Sequence, residues 1–546
     1  MKILKYISIF TLVLILFSSC EDNLNTLPEG NKITTSQKED VAGKDPKKAE
    51  AGVNAIFSQL NAYQPNYTAL GVGRHNDFGY PSIMLFADAN YHDFVGETNG
   101  YNWVSNSIEY GDRNFSSNEA IIVWNNLYSY IKTANNVIAA IDMEVEDALS
   151  KYYLAQGLAM RAFSYNVLAQ LYQFKYKGNE QKPGVPLITH ENEFESSNEG
   201  MKRSTLQEVY NLVLSDLDKA ISLLESAQAN KISRADKRYI DLSVAYGLRA
   251  RVNLAMENWK EAAEDAASAI DASSAKPASI ENVSKPSFKD ASESNWMWGI
   301  VIAETDRTVT SGIVNWISHM GSLNYGYANF SGGFQINKTL YHQIDESDIR
   351  KNWWINEEFV DSEGEEGYDI DYLTPAMEEF IIDYEYPAYT QVKFAPYNNE
   401  VETTTNANDI PLMRIEEMYL ILAEAQAMSG DVGGGANTLS DFVKTYRNKQ
   451  YSFAGGGAKE LQDEVFFQKR LELWGEGLIW YDVKRLEKDV DRRGAGYEAT
   501  MVYNIKANDP ALLWMIPEAE IIANPKLSNE DNNPTVPRPT AVKDIE

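Results

Sequence analysis

The sequence predicts an all-α-dominated fold in which tetratricopeptide-like helix pairs form an α-α superhelix, with long loops and a few short strands. Three observations support this prediction. Apolar residues recur at steps of three and four along most of the chain, strand-like stretches are few and short, and small residues recur at the spacing of paired helices. The 546 residues are 44% hydrophobic and 23% charged, which is typical of a globular chain with a large core.

The helical pattern is clear in several segments. Thr205 and Glu208 have the spacing of a capping box and precede the most regular apolar stripe. The periodicity predicts helices over 118–141, 153–174, 205–224, 240–256, 259–272, 414–428 and 461–474. Strand-like stretches occur at 296–302 and 390–394, and long aromatic-rich loops are expected at 64–117, 305–334 and 353–408. Loops of that length in a globular chain often carry function.

Two helix pairs have degenerate tetratricopeptide spacing. The first covers 246–269, where alanines recur at positions that let two helices approach closely. The second covers 419–442, and there Gly435 stands where the repeat normally has alanine. Long loops separate these pairs, so we expect an interrupted superhelix.

Charge and residue types exclude several classes of protein. With 49 Lys+Arg against 79 Asp+Glu, the net charge of -30 argues against a nucleic-acid binder. The single cysteine excludes an intramolecular disulfide and a cysteine-based metal centre. No nucleophile elbow, zinc-protease motif or phosphate loop is present, so we expect no catalytic residues, no metal site and no cofactor. Acidic residues crowd 357–371 without EF-hand spacing, which favours a solvated loop over a calcium site.

The N-terminus is typical of an exported lipoprotein. Two lysines precede an apolar run that ends at Phe17, which is too short to span a bilayer permanently. Two serines then lead to Cys20, and this small-small-Cys order resembles the site at which bacterial lipoproteins are acylated. We therefore predict a signal peptide over 1–19, lipidation of Cys20 and a polar tether over 20–45. The alternative is an ordinary signal peptide with an unrelated cysteine.

Five ordered sequence blocks resemble the SusD/RagB family of outer-membrane lipoproteins. The blocks lie at 124–135, 152–189, 411–425, 468–485 and 514–534, and they include Pro411-Leu-Met-Arg and Trp514-Met-Ile-Pro-Glu. The sequence departs from the usual pattern at Gln468, Ile479 and Val483. The resemblance implies a helical N-terminal part over 46–290, and a loop-rich C-terminal part over 291–546 packed on it.

The same resemblance implies a function. Members of this family are non-catalytic, surface-exposed lipoproteins of the cell outer membrane that capture oligosaccharides and deliver them to a SusC-like TonB-dependent β-barrel transporter. Some members bind peptides, so a peptide or other nutrient is the alternative ligand. A surface glycoside hydrolase is the less favoured alternative.

Charged residues within these blocks are expected to be structural. They alternate in sign along predicted helices, which favours buried or half-buried ion pairs over a ligand site. The set is Arg414, Glu424, Arg470, Glu472, Glu476, Asp482 and Arg485. Trp296 and Trp298 lie one residue apart on a strand-like stretch, and we expect both to pack in the core.

Aromatic loops supply the candidate ligand-binding residues. A sugar-binding face needs flat rings that stack on sugar C–H surfaces and polar side chains that bind hydroxyls. The candidates are Tyr91, His92, Tyr101, Asn102 and Trp103 in the first loop, and Trp316, Tyr325, Tyr327 and Phe330 in the second. We expect Trp103 and Trp316 to form a platform, with neighbouring asparagines binding hydroxyls. The alternative is that each ring only packs within its own loop.

Overall fold

Helices are the main regular structure of the chain, and several of the long ones begin at polar capping side chains. The computed structural model describes residues 47–63, 75–361 and 370–545. The predicted signal peptide, Cys20 and the tether lie outside these residues, as does most of the acidic loop. Ser117 and Asp147 cap the helices that follow them, and Thr205 and Glu208 form the predicted capping box.

The N-terminal half contains the longest helices. They are α1 Lys47–Ser58, α2 Tyr80–Ala89, α3 Ser105–Ile108, α4 Asn118–Ala139, α5 Ala148–Tyr172, α6 Glu193–Glu199, α7 Leu206–Ala229, α8 Leu242–Ala255, α9 Trp259–Ala272 and α10 Ile280–Val283.

The C-terminal half has shorter helices separated by loops. They are α11 Arg307–Thr310, α12 Trp316–Met320, α13 Tyr327–Phe330, α14 Lys338–Gln343, α15 Glu357–Asp361, α16 Pro375–Asp383, α17 Ile415–Met428, α18 Val432–Tyr446, α19 Ala458–Glu472, α20 Ile479–Arg485 and α21 Glu518–Ala523. Single 3-10 turns lie at Gln59–Asn61, Ile349–Trp353, Tyr397–Asn399, Ala499–Met501, Pro510–Leu512 and Asn529–Asp531.

Short antiparallel strand pairs connect distant segments. β1 Phe94–Val95 pairs with β3 Gln335–Ile336, β2 Trp296–Ile300 with β4 Ile410–Arg414, and β5 Val490–Asp491 with β6 Asn504–Ile505. The predicted strand at 390–394 instead forms single bridges, because its residues pair one at a time with different segments. Trp296 and Trp298 on β2 are fully buried, which confirms that they belong to the core.

The helices pack in an order that continues across the two halves. α4 packs on α5, α5 on α7, α7 on α8 and α8 on α9. α9 then packs on α17, which contacts α18 and α19, so the two predicted repeat pairs are neighbours in space. Gly435 fits this packing, because a Cβ there would lie 2.5 Å from the carbonyl oxygen of Ala423. The all-α superhelix prediction is confirmed, while the division at residue 290 stays a prediction.

Ion pairs cross the core of the C-terminal half, as the alternating charges predicted. The pairs are Arg414 with Glu472 and Glu476, Arg485 with Glu424 and Asp482, and Arg470 with Asp93. The side chains of Arg414 and Glu472 are both 0% exposed. Because each charge has a partner, these residues maintain the fold; Arg470 is half-buried and the others are buried.

No helix within the described ranges is both long enough and apolar enough to span a membrane.

Candidate ligand-binding site

Four aromatic side chains form an exposed patch on the loops of the two halves. Tyr101 and Phe330 are 56% and 40% exposed, and their ring centroids are 5.4 Å apart. The ring of Phe330 also lies 5.8 Å from Tyr325 and 6.4 Å from Tyr384, both half-buried. We name Tyr101, Tyr325, Phe330 and Tyr384 the ring patch.

Local hydrogen bonds hold the loops of the ring patch together. The side-chain oxygen of Asn99 accepts from the backbone N–H of Tyr101 at 2.9 Å, and its Nδ2 donates to the carbonyl of Phe330 at 3.3 Å. The residue directly before α13 is Gly326, and a Cβ there would lie 2.5 Å from the hydroxyl oxygen of Ser318, so the backbone passes too close for a side chain. One asparagine and one close backbone approach thus place Tyr101 beside Phe330.

A second aromatic layer extends from the same two loops. Trp103 is half-buried, with its ring 4.5 Å from His75 and 6.4 Å from Tyr327. Tyr327 forms a hydrogen bond with His75 and stacks on His319 at 4.7 Å. Burial lowers the pKa of His319 to about 4, so this imidazole is neutral at physiological pH. The layer therefore contains a neutral imidazole packed between aromatic rings.

Polar groups surround the ring patch. The hydroxyl of Tyr384 donates to Glu402 at 3.2 Å, and burial together with Glu402 raises the pKa of Tyr384. The phenol therefore stays protonated and can donate or accept hydrogen bonds. Glu97 is exposed beside Asn99, and the carboxylate of Glu498 accepts from the backbone and hydroxyl of Thr98. Flat rings edged by carboxylates and amides suit a ligand with C–H faces and hydroxyls.

The expected Trp103–Trp316 platform is not formed, because Trp316 is buried. The indole is 1% exposed, and its ring lies 5.1 Å from Phe394. Asn315, expected to bind hydroxyls, instead caps α12 by accepting from the N–H of Ser318. Trp316 has no exposed face on which a ligand could stack.

Tyr91, His92 and Asn102 also have structural surroundings. Tyr91 is 3% exposed and its ring lies 3.8 Å from His92, whose pKa is lowered by burial to about 4. Asn102 is buried, donates to the carbonyl of Glu97 at 2.6 Å and accepts from Val104 at 3.0 Å. Tyr91 and Asn102 are buried and His92 is half-buried, so none of the three has the exposed face expected of it.

The sequence-predicted set is therefore divided by the structure. It brings Tyr101, Tyr325 and Phe330 together on the surface, with Trp103 and Tyr327 in the layer beside them. Sequence reasoning missed Tyr384 and Asn99. Tyr384 directly follows α16, far from either loop in sequence, and Asn99 has no sequence signal that distinguishes it from other polar loop residues. Across the described residues, no cluster of His, Cys, Asp and Glu could hold a metal ion.

Two models of known protein families match the chain. A family model described as SusD-like, "Starch-binding associating with outer membrane", matches residues 82–254. The model of the SusD family matches residues 303–535. The chain belongs to the SusD/RagB family. The two matches lie on the helical N-terminal half and the loop-rich C-terminal half.

Individual relatives agree with this family. A SusD-like protein of Bacteroides ovatus is 23% identical over 253 residues, a match that covers 45% of this chain but only 38% of that relative. A SusD-like carbohydrate binding protein from Bacteroides vulgatus has a TM-score of 0.70 at 22% identity, covering 89% of this chain and 97% of that one. Surface glycan-binding protein A from Bacteroides thetaiotaomicron, solved with laminarihexaose, has a TM-score of 0.59 at 18% identity, covering 88% and 98%. At these identities the structural matches show the shared fold.

Proposed function

We propose that this SusD-family chain is a non-catalytic glycan-binding lipoprotein that captures an oligosaccharide on the ring patch. The observation that carries the proposal is the pair of exposed rings of Tyr101 and Phe330, 5.4 Å apart, with two further rings beside Phe330. Neighbouring exposed rings that form one patch are typical of a ligand-binding or partner-binding surface. Structural relatives described as carbohydrate or glycan binders support this choice of ligand.

The expected affinity follows from the size of the patch. By analogy with aromatic pairs, each ring that stacks on a sugar contributes about 0.5–1.5 kcal/mol beyond its buried area. A few stacks and hydrogen bonds together give about 4–8 kcal/mol, which corresponds to a dissociation constant between millimolar and micromolar. Such an affinity suits a protein that captures a glycan and then releases it.

Calorimetric titration against a defined panel tests the ligand class. The mature chain would be titrated with maltohexaose, laminarihexaose, other hexasaccharides and a set of short peptides. We expect millimolar-to-micromolar binding of at least one glycan and no change in glycan length on prolonged incubation. Binding of peptides and of no glycan would show that the ligand is a peptide. Release of shorter glycans would contradict the non-catalytic assignment.

The proposal includes an anchor and a partner. We propose that Cys20 is lipidated and holds the chain at the surface of the outer membrane, where it delivers its ligand to a SusC-like TonB-dependent transporter. The family model described as associating with the outer membrane supports this location. Cys20→Ser should abolish fractionation with the outer membrane, and the wild-type chain should co-purify with a β-barrel from gently solubilised membranes. Retention of the serine variant on the membrane, or recovery of the wild type only as a free monomer, would contradict these two parts respectively.

A further inference from the structure

A concave surface lies outside the ring patch, where the end of the N-terminal half meets the C-terminal half. It is a groove of about 430 Å³ lined by residues from 278–295, by 372–377 and by Asn399. Its volume falls within the ~300–1,000 Å³ that is typical of small-molecule sites. Two other cavities in the described part of the chain are smaller, at about 230 and 60 Å³. We name this surface the amide groove.

The lining of the amide groove combines polar groups with an aromatic and an aliphatic surface. Asn282 and Asn399 contribute side-chain amides, and Lys289 donates from Nζ to Asn399 at 2.9 Å. Tyr372 and Met377 contribute apolar surface. Amides that donate and accept, together with a ring and a thioether, match the alternating hydroxyls and C–H faces of a sugar.

Two polar groups in the amide groove are suited to a hydroxyl-bearing ligand. The hydroxyl oxygen of Ser287 is buried and has no hydrogen-bond partner among the described residues. Buried polar atoms are normally hydrogen-bonded, so this hydroxyl is suited to a ligand or to water. The carboxyl of Glu293 accepts from the N–H of Lys289 at 2.8 Å, and burial raises its pKa to about 7. Near neutral pH this carboxyl can therefore both donate and accept hydrogen bonds.

Two chain segments connect the amide groove to the ring patch. Met377 lies near the start of α16 and Tyr384 directly follows its end, so the helical rise separates them by about 10 Å. Asn399 lines the groove, and three residues later Glu402 accepts from the hydroxyl of Tyr384. The two surfaces thus lie at opposite ends of one short helix, a separation that an extended oligomer can bridge.

We propose that the amide groove is a second saccharide-binding site, which holds another part of the glycan that stacks on the ring patch. The proposal rests on the proposed function for its ligand class. Two weak sites on one extended ligand act together, because binding at the first raises the effective concentration at the second. Long oligosaccharides would then bind more tightly than short ones without any single strong contact.

Groove variants in the mature chain test the proposal. Asn282→Ala removes an exposed amide, and Ser294→Trp places a bulky ring at an exposed position of the lining. Asn437→Ala is the matched control, because Asn437 is an exposed asparagine on α18 outside both surfaces. Maltohexaose and laminarihexaose are the probes, and thermal melts verify that each variant folds.

We expect each groove variant to weaken hexasaccharide binding by at least about threefold, with the control unchanged. Wild-type affinity in both folded groove variants would overturn the groove as a binding site. If ring-patch variants lose affinity in the same experiment, the proposed function remains intact. The reverse pattern, with loss only in the groove variants, would move glycan binding from the ring patch to the groove. Failure of both hexasaccharides to bind the wild-type chain at millimolar concentration would overturn the second site.

Discussion

Glu472→Gln is expected to destabilise the chain strongly, because it removes one charge from a buried ion network. The carboxylate of Glu472 accepts from Arg414 at 2.9 Å and from Arg447 at 2.7 and 2.8 Å, and Arg350 lies 3.4 Å away. All four side chains are 0% exposed. Burial alone would raise the pKa of this carboxyl. The surrounding guanidinium groups have the larger effect and hold the pKa well below its usual value of 4.5. Glutamine keeps the shape of the Glu472 side chain but leaves the three arginines without its negative charge.

Removing one partner of a buried ion pair costs about 3–5 kcal/mol. With an unfolding entropy of about 2.1 cal/mol/K per residue, a chain of roughly 500 folded residues loses about 1 °C in melting temperature per kcal/mol. Glu472→Gln should therefore melt about 3–5 °C below the wild type in a calorimetric scan. The matched control is Glu346→Gln in a surface pair with Lys351, where Glu346 is 88% exposed and the shift should be within about 1 °C. Equal melting of the two variants would refute the reasoning.

Three further outcomes concern stability. Trp298→Ala should cost about 3–5 kcal/mol in unfolding free energy, because the indole is fully buried, while glycan titration should give wild-type affinity. Gly435→Ala should cost about 1–3 kcal/mol by calorimetry, because its Cβ would lie 2.5 Å from the Ala423 carbonyl oxygen. Burial raises the pKa of Asp482 and its lysine and arginine partners lower it to about 2. The stabilisation by ionised Asp482 is therefore present above about pH 4 and is lost as the pH falls toward 2. Asp482→Asn should flatten the dependence of the melting temperature on pH over that window.

The long helices could be predicted from sequence because each buries a regular apolar face. The structure places helices at Asn118–Ala139, Leu206–Ala229 and Trp259–Ala272, within a few residues of the periodic segments. Short helices such as Tyr327–Phe330 could not be predicted, because four residues carry no period and tertiary contacts fix them. The stretch at 390–394 failed as a strand for a related reason: strand propensity does not specify a pairing partner.

The candidate site was less predictable because the burial of one ring depends on distant parts of the chain. Trp103 and Trp316 both follow an asparagine, yet the first is half-buried in an aromatic layer and the second packs on Phe394. Asn315, which precedes Trp316, caps a helix. A capping asparagine cannot be distinguished from a ligand-binding asparagine by sequence alone. Tyr384 joins the ring patch only through tertiary contact with Phe330.

The central claim is that the ring patch binds glycan, and the affinity ratio between wild type and a patch variant tests it most directly. The measurement is calorimetric titration of a Tyr101→Ala, Phe330→Ala double variant with the hexasaccharide that the wild type binds. Phe194→Ala is the control, since Phe194 is 83% exposed on α6, outside the patch. Loss of stacked rings worth ~1–3 kcal/mol predicts affinity weakened by about fivefold or more, with unchanged melting temperature and a neutral control. Wild-type affinity in the folded double variant would contradict the account.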